Sequence, residues 1–423
     1  MPSTRIFGRA RWPQWARLLF SVSVLAALVV TPASGEETSY DLPGAVAAAP
    51  LLPEKTLASG APQIAPEADA DGLHATFTLD GPDGPETITG IQSLLNRIQE
   101  IRAIDTLRRM NKSAEFGKAL LSSGKEKIES VKEAVKDPVR TAQQLPRGAS
   151  KFFGRLGNTI KHASEGKIGA TQAAEAALGV NRKRAELCLK LGVSPYTHDQ
   201  TLRSELDLAA RAMAAGATLV NVSGLIVGGG VGTALTVVNA NQTFQRALVE
   251  SSPAELAVRD RAALLKLGAT PENVSALLDN PAFNPWQRST ITNLLSSIGV
   301  NPDAVLARAG EAWTEEDAIY FVQVARILES HHRNKHPITA IKSKDGIPCA
   351  LDESGALVVP VGADLIQWTP LLQERTDEFL GWSLEHTEIK SIVLATDATV
   401  SDMAATELAQ RGVIVASRVL DKS

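Results

Sequence analysis

The chain has 423 residues, with 43 Lys and Arg against 47 Asp and Glu, so its formal net charge is −4. Hydrophobic residues make up 44%, which is ordinary for a soluble globular protein, and the length suggests two or three domains. The acidic balance disfavours a uniformly basic nucleic-acid-binding protein, so we expect no nucleic-acid partner.

Residues 1–35 are predicted to be a cleavable secretory signal peptide. Arginines precede the apolar run 18–30, and the small residues Ala33, Ser34 and Gly35 follow it where signal peptidase cleaves. The run is shorter than the roughly 20 residues of a membrane span, and a retained anchor is the alternative. We therefore expect an exported protein, periplasmic or extracellular, with a net charge of −8 once the leader's four arginines are removed.

Residues 36–90 are predicted to be an acidic, proline-rich linker that ends in a short hairpin. They hold ten acidic residues and one lysine, and prolines and small residues crowd the interval 36–72, for which we predict disorder. Leu73, Ala75, Phe77 and Leu79 then alternate with polar residues, as in a strand, and two Asp-Gly pairs supply turns.

Residues 91–167 are predicted to form basic amphipathic helices. Apolar residues at 91, 94, 98 and 101 recur at helical spacing, and 118–167 holds eleven basic and five acidic residues. Such a segment binds anionic surfaces; the alternative is a solvated helix face that the acidic linker covers. The predicted membrane or polyanion surface consists of Lys132, Lys136, Arg140, Arg147, Lys151, Phe152, Phe153 and Arg155.

Residues 168–337 are predicted to form a helical domain. Its helix starts show a cap followed by proline, at Ser252-Pro253, Thr270-Pro271, Asn284-Pro285 and Asn301-Pro302. Glycines stand where helices end, at Gly192, Gly268 and Gly299. The interval 217–240 has no charge, and we interpret it as a buried helical hairpin, with a bilayer span as the alternative.

Residues 338–423 are predicted to be a small C-terminal α/β domain. Turn-separated strands are expected at 338–342, 347–351 and 356–361, followed by a helix over 364–384. A strand at 391–395, a helix at 401–410 and a strand at 413–416 complete it. The predicted fold class is therefore mainly α, a helical domain followed by a small C-terminal α/β (α+β) unit.

Two sets of side chains are candidates for chemistry. His332 and His336 are four residues apart, a spacing that metal ligands use, but Arg333 and Lys335 beside them oppose a cation, so we predict no metal site and no cofactor. Cys188 and Cys349 form either a disulfide or two buried free thiols. No nucleophile, base and orienting group support one another along the chain, and no small-molecule substrate is identifiable.

Three segments carry a resemblance to other sequences: VKDPVRTAQQLPRGASKFFGRLG at 135–157, LGVSPYTHDQTL at 191–202 and SIVLATDATVSDMAATELAQRGVIV at 391–415. With them, the chain resembles a recurrent family of uncharacterised bacterial exported proteins. The resemblance covers about the last two-thirds of the chain. It implies an exported bacterial protein and carries over no activity and no catalytic residue.

These observations predict an exported envelope protein of unknown biochemical activity. We expect a non-enzymatic interaction or membrane-surface-associated protein, with anionic lipid or an envelope protein as its partner. The alternative is a secreted hydrolase of unknown type that uses the cluster His331, His332 and His336.

Overall fold

The computed structural model describes residues 39–53, 56, 62–111, 168–214 and 242–420. The chain divides into two compact units, one of Met1–Ile98 with Gly230–Ser423 and one of Gln99–Gly229. The predicted signal peptide, the basic segment 118–167 and the whole uncharged interval 217–240 lie outside the described residues. No helix in the described ranges is both long enough and apolar enough to cross a membrane.

The predicted fold class, mainly α, is wrong. The described residues are about 53% helical and 20% strand, and their strands form sheets of four, two and five strands, so the fold is mixed α/β. The difference comes partly from the N-terminal region, where strands form in a segment whose composition predicted disorder.

An antiparallel four-stranded sheet, in the order β1-β2-β3-β4, occupies this N-terminal region. Its strands are β1 (Gly44–Ala47), β2 (Glu67–Ala70), β3 (Ala75–Gly81) and β4 (Gly84–Thr89). The alternation from 73 to 79 becomes β3, which pairs with β4 as a hairpin. The prediction of disorder is wrong for β1 and β2. Ala68 and Ala70 are alternate residues of β2, each 4% exposed, and form its buried face. Because alanine is small, this face gives little hydrophobic signal in the composition.

The unit Gln99–Gly229 contains three helices in its described part. They are α1 (Ile91–Asn111), whose residues up to Ile98 belong to the other unit, α2 (Ile168–Leu191) and α3 (Gln200–Ala214). Leu107, Leu187 and Leu202 are fully buried. Polar contacts between helices flank this core, among them Asn111 Nδ2 donating to Glu205 Oε2 at 2.7 Å.

Further helices lead to the C-terminal sheet of the other unit. They are α4 (Gln242–Glu250), α5 (Pro253–Lys266), α6 (Pro271–Leu278), α7 (Pro285–Ile298), α8 (Asp303–Ala309) and α9 (Glu315–Asn334). Ser252, Thr270 and Asn284 cap α5, α6 and α7 as the cap-then-proline pattern predicts. The pattern fails at Asn301, because Pro302 itself is the N-cap of α8.

A five-stranded sheet in the order β11-β9-β7-β6-β5 forms the centre of this unit. Its elements, with the helices and the small β8–β10 sheet between them, are β5 (Ile338–Lys344), β6 (Ile347–Asp352), β7 (Ala356–Val361), β8 (Leu365–Ile366), α10 (Pro370–Glu385), β9 (Ser391–Thr396), β10 (Thr399–Val400), α11 (Asp402–Gln410) and β11 (Val413–Ala416). β7, β9 and β11 are parallel, whereas β5 and β6 are antiparallel to their neighbours. Most of these elements lie close to their predicted positions, but β8 and β10 were not predicted, and the helix predicted over 364–384 begins only at Pro370 because Leu365 and Ile366 form β8.

The two faces of this sheet pack against different helices. Val358 and Ala395 belong to a core that includes α9, and Leu357 and Leu394 belong to a core that includes Phe379 of α10 and residues of α11. Because side chains alternate across a strand, each strand contributes to both cores.

Candidate functional site

The central sheet is split at one end, between β6 and β7. The two strands pair at Ala350–Val358 and Leu351–Leu357, and the pairing goes no further toward the β5–β6 turn. In the same register, Pro348 would lie opposite Pro360. The two strands are therefore separated at the end of the sheet where Pro348 and Pro360 face each other.

The two prolines account for the split. Asp345 and Gly346 form a two-residue turn with positive φ at both positions, so Lys344 and Ile347 are a hydrogen-bonded pair. Successive residues of a strand point their backbone hydrogen-bonding groups toward opposite neighbouring strands. Because those of Ile347 face β5, those of Pro348 face β7. Neither Pro348 nor Pro360 has an amide proton, so the two hydrogen bonds of this pair cannot form and the strands separate.

A pocket of about 210 Å³ occupies this split. Its walls come from β6, β7, β9 and β11, from α10 and α11, and from Tyr320 and Phe321 on α9. Most of the lining is aliphatic or aromatic, and comprises Leu73, Phe321, Ile347, Pro348, Val359, Pro360, Val361, Leu371, Leu372, Phe379, Ile392, Leu394, Leu408 and Val413. The volume is below the roughly 300–1,000 Å³ typical of sites for drug-sized ligands, so it suits a small apolar group.

Two arginines are among the few polar groups in the lining. Arg308 donates from Nη1 to Glu311 Oε2 at 2.6 Å and packs over the Asp345–Gly346 turn, where a Cβ on Gly346 would lie 3.1 Å from Arg308 Cζ. Arg375 of α10 donates from Nη1 to Glu378 Oε2 at 2.6 Å. Its Nε is buried and has no hydrogen-bond acceptor.

Of the remaining polar groups of the lining, Asp345 pairs with Lys344 at 2.5 Å, and the others are the hydroxyls of Tyr320, Thr369 and Thr376. Burial raises the pKa of Tyr320 to about 12 although Arg308 acts to lower it, so this phenol stays protonated at physiological pH. Thr369 Oγ1 accepts from Leu372 N at 3.2 Å as the N-cap of α10, and Thr376 Oγ1 donates to Leu372 O at 2.7 Å. In the described lining, no general base is hydrogen-bonded to the hydroxyl of Thr369 or Thr376, so the pocket suits ligand binding more than nucleophilic catalysis.

A second, more open groove of about 670 Å³ lies between the loop after α6 and the loop before α9. Asn280 closes its floor by donating to Gly310 O and Ala312 O, both at 3.0 Å, and Trp313 at its rim is 77% exposed. Although this groove is larger, it is the weaker candidate, because it is a surface depression without an enclosed apolar interior.

The histidines of the predicted cluster lie in three separate environments. His331 Nε2 lies 2.9 Å from Asp352 Oδ2, and both side chains are buried. His332 Nδ1 accepts from Ile338 N at 3.0 Å, and the exposed His336 lies 3.8 Å from Glu353. His331 and His332 thus connect α9 to β6 and β5, His336 makes only a solvent-exposed contact, and the three rings share no cleft.

The Asp352 carboxylate is a structural group at the β6–β7 turn. Burial acts to raise the pKa of Asp352, but the hydrogen bonds that it accepts from Ser354, His331 and Ala356 outweigh burial and hold the pKa below its ordinary value. In the ranges that the structure describes, no three His, Cys, Asp or Glu side chains are grouped closely enough to hold a metal ion.

A different histidine, which sequence reasoning missed, contacts a buried carboxylate. Asp364, which directly precedes β8, accepts hydrogen bonds from Ala75 N at 3.0 Å and Ile91 N at 2.9 Å, and its Oδ2 lies 3.7 Å from His74 Nδ1. Burial acts to lower the pKa of His74, but the Asp364 carboxylate, aided by Asp71 and Asp317, raises it above its ordinary value. The pair fastens the N-terminal sheet to the central sheet.

Cys188 and Cys349 are free thiols, so the disulfide that the sequence left open is not formed. Burial raises the pKa of each thiol to about 12. Both therefore behave as small apolar side chains, not as nucleophiles.

The residues of the predicted membrane or polyanion surface, between 132 and 155, lie outside the described residues. The pocket residues, by contrast, were not predicted as a site. One signal was available, since Pro348 and Pro360 each interrupt a predicted strand and proline is confined to edges and irregularities of sheets. Their juxtaposition requires the strand register, which spacing along the chain does not provide.

No family model, curated protein or solved structure matches the chain.

Proposed function

We propose that this chain is an exported, non-enzymatic binding protein that holds a small apolar ligand in the pocket between β6 and β7. The observation that carries the proposal is the apolar cavity opened in the central sheet by the facing prolines Pro348 and Pro360. A packed core normally leaves few voids larger than a water molecule, and open, unpaired strand ends are costly. A ligand that fills the split offsets the lost contacts.

Export is proposed on the leader-like segment 1–35, and the non-enzymatic class on the absence of a paired nucleophile and base in the described lining. The alternative of a hydrolase that uses His331, His332 and His336 is not favoured, since these side chains are engaged in separate structural contacts.

Isothermal titration calorimetry with 1-hexanol tests the proposal. The pocket volume equals that of about seven water molecules, which suits the six-carbon alkyl chain of 1-hexanol. We expect saturable one-to-one binding to the mature protein, and at least a tenfold loss in Val361→Phe, whose ring fills the pocket from β7. Val258→Phe is the matched control, because Val258 is 72% exposed on α5.

Circular dichroism and the unfolding midpoint establish that Val361→Phe is folded, and Leu372→Phe replaces it as the pocket-filling variant if it is not. The proposal is contradicted if the unaltered protein shows no saturable binding of 1-hexanol up to its solubility limit. Equal binding by Val361→Phe and Val258→Phe also contradicts it.

A further inference from the structure

We infer that the ligand of this pocket is a small monocarboxylate, with its apolar chain between β6 and β7 and its carboxylate on the Nε edge of Arg375. The inference rests on the proposed function, because it identifies the ligand class for the same pocket. In this arrangement Arg375 binds the charged end of the ligand and so fixes the orientation of the ligand in an otherwise apolar pocket.

The first observation is an unpaired donor. Arg375 uses Nη1 for Glu378, and its Nε is buried with no acceptor. Within the described part of the chain, no other buried side-chain atom lacking a hydrogen-bond partner belongs to a residue of this lining. A buried donor without a partner is unfavourable, so a ligand acceptor is favoured there. Because Nε is buried in the structure, the Arg375 side chain must turn Nε toward the pocket for a ligand carboxylate to reach it.

The shape of the guanidinium suggests the kind of acceptor. Nε and Nη2 form one planar edge of the arginine, and a carboxylate binds such an edge through two parallel hydrogen bonds. Glu378 occupies Nη1 on the other edge. The ligand carboxylate and the intrahelical carboxylate therefore use different sides of one guanidinium.

The second observation is the helix terminus beside Arg375. Thr369 is the N-cap of α10, and Leu371 and Leu372 of its first turn also line the pocket. The N-terminal end of a helix carries a partial positive charge and favours an anion nearby. Helix and arginine thus favour the same sign of charge at this end of the pocket.

The charges around Arg308, the other arginine of the lining, disfavour a ligand carboxylate there. Arg308 is bonded to Glu311, and the Asp345 carboxylate of the lining pairs with Lys344 at 2.5 Å. Glu311 thus already neutralises Arg308, and no buried atom of Arg308 lacks a hydrogen-bond partner. We therefore place the ligand's carboxylate at Arg375. One negative charge already pairs with Arg375 through Glu378, so a monoanion fits better than a phosphate dianion.

The test compares hexanoate with 1-hexanol at neutral pH, where the carboxyl is ionised. Calorimetric titrations use the mature protein and its variants Arg375→Gln and Glu378→Gln. Both variants break the same ion pair, so a structural role of the pair weakens both in the same direction. If Arg375 binds the ligand, the two variants move hexanoate affinity in opposite directions.

We expect hexanoate to bind the unaltered protein at least about tenfold more tightly than 1-hexanol. Arg375→Gln should remove this difference and leave 1-hexanol binding within about twofold, and Glu378→Gln should tighten hexanoate binding because Arg375 then has no competing carboxylate. Arg308→Gln should change the hexanoate affinity less than Arg375→Gln does.

The inference fails, and the proposed function stands, if 1-hexanol binds and hexanoate binds no tighter. Parallel losses in Arg375→Gln and Glu378→Gln for both probes overturn the role of Arg375, and a larger loss in Arg308→Gln transfers the anchor to Arg308. Absence of binding by both probes overturns the proposed function itself.

Discussion

Asp364 shows how one carboxylate organises a junction between sheets. It lies in the loop between β7 and β8, and its two oxygens accept hydrogen bonds from the backbone amides of Ala75 and Ile91. Because a buried carboxylate needs several donors, this position couples the N-terminal hairpin and the start of α1 to the central sheet. His74 adds a titratable group to the same junction.

The contribution of His74 to stability should depend on pH. Its folded-state pKa lies above the ordinary 6.5 because the Asp364, Asp71 and Asp317 carboxylates outweigh the effect of burial. The folded protein therefore binds this proton more tightly than the unfolded chain. The stabilisation is fully present below about pH 6.5 and is lost as the pH rises through the folded-state pKa.

Urea unfolding from pH 5.5 to 9 measures this effect. The difference in unfolding free energy between the unaltered protein and His74→Gln should be largest at the acidic end and should shrink as the pH rises. His336→Gln is the control, since its exposed contact with Glu353 at 3.8 Å is screened by solvent. A His74→Gln difference that is constant or grows with pH would rule out this role.

The histidines also show what residue spacing cannot reveal. His331, His332 and His336 are neighbours in sequence, and the four-residue interval is compatible with ligands on one helix face. In the structure, His331 instead contacts Asp352, a residue of β6 that no local pattern connects to it. His74 and Asp364 lie 290 positions apart and meet only through the fold.

At the scale of elements, the facing prolines of β6 and β7 give a direct prediction. The double variant Pro348→Val with Pro360→Val supplies both missing amide protons, so the β6–β7 ladder should extend by one hydrogen-bonded pair and narrow the pocket. Hydrogen exchange should show protected amides at both positions, and 1-hexanol affinity should fall at least tenfold.

Each single variant supplies one of the two donors and serves as the matched control. It should show partial protection and a smaller loss of 1-hexanol affinity. Stability is a poor readout here, because about 0.5–1.5 kcal/mol per new hydrogen bond is offset by the greater freedom of the unfolded chain without proline. Unprotected amides in the double variant would mean that the prolines do not cause the split.

Local chemistry explains which elements could be predicted from the sequence. Ser252, Thr270 and Asn284 cap their helices in the structure, and Gly192, Gly268 and Gly299 adopt the positive φ expected of helix ends. The Asp345–Gly346 turn likewise places β5 and β6. In each case the information lies within a few residues.

The elements that sequence reasoning missed depend on tertiary partners. β1 and β2 are short and rich in alanine and acidic residues, and they are stabilised by pairing with β3 and by burial of Ala68 and Ala70. Composition therefore predicted disorder where the fold provides a sheet. The pocket was missed for a related reason, because it depends on the register of two strands joined by a turn.

At the scale of the whole molecule, the basic segment 118–167 remains a prediction. If it docks on anionic lipid, the mature chain should co-sediment with vesicles that contain anionic lipid at low salt, but not with phosphatidylcholine vesicles. Each basic residue near such a surface contributes about 1 kcal/mol, so Lys151→Glu with Arg155→Glu should weaken binding more than tenfold. Added salt should also reverse the association.

Lys266→Glu with Lys335→Glu makes the same change of net charge at exposed positions outside the segment and should retain binding. Equal weakening by both double variants would indicate a general charge effect and no specific surface. Failure of the unaltered protein to bind anionic vesicles at low salt would exclude the lipid partner.

A crystal structure with 6-bromohexanoate tests most directly whether the split between β6 and β7 is a ligand site. The anomalous signal of bromine locates one end of the ligand independently of any assumption about its pose. We predict a bromine peak among Val361, Ile392 and Leu394, with the carboxylate within hydrogen-bond distance of Arg375 Nε. A bromine peak elsewhere at saturating ligand, with the split between Pro348 and Pro360 empty, would contradict the account.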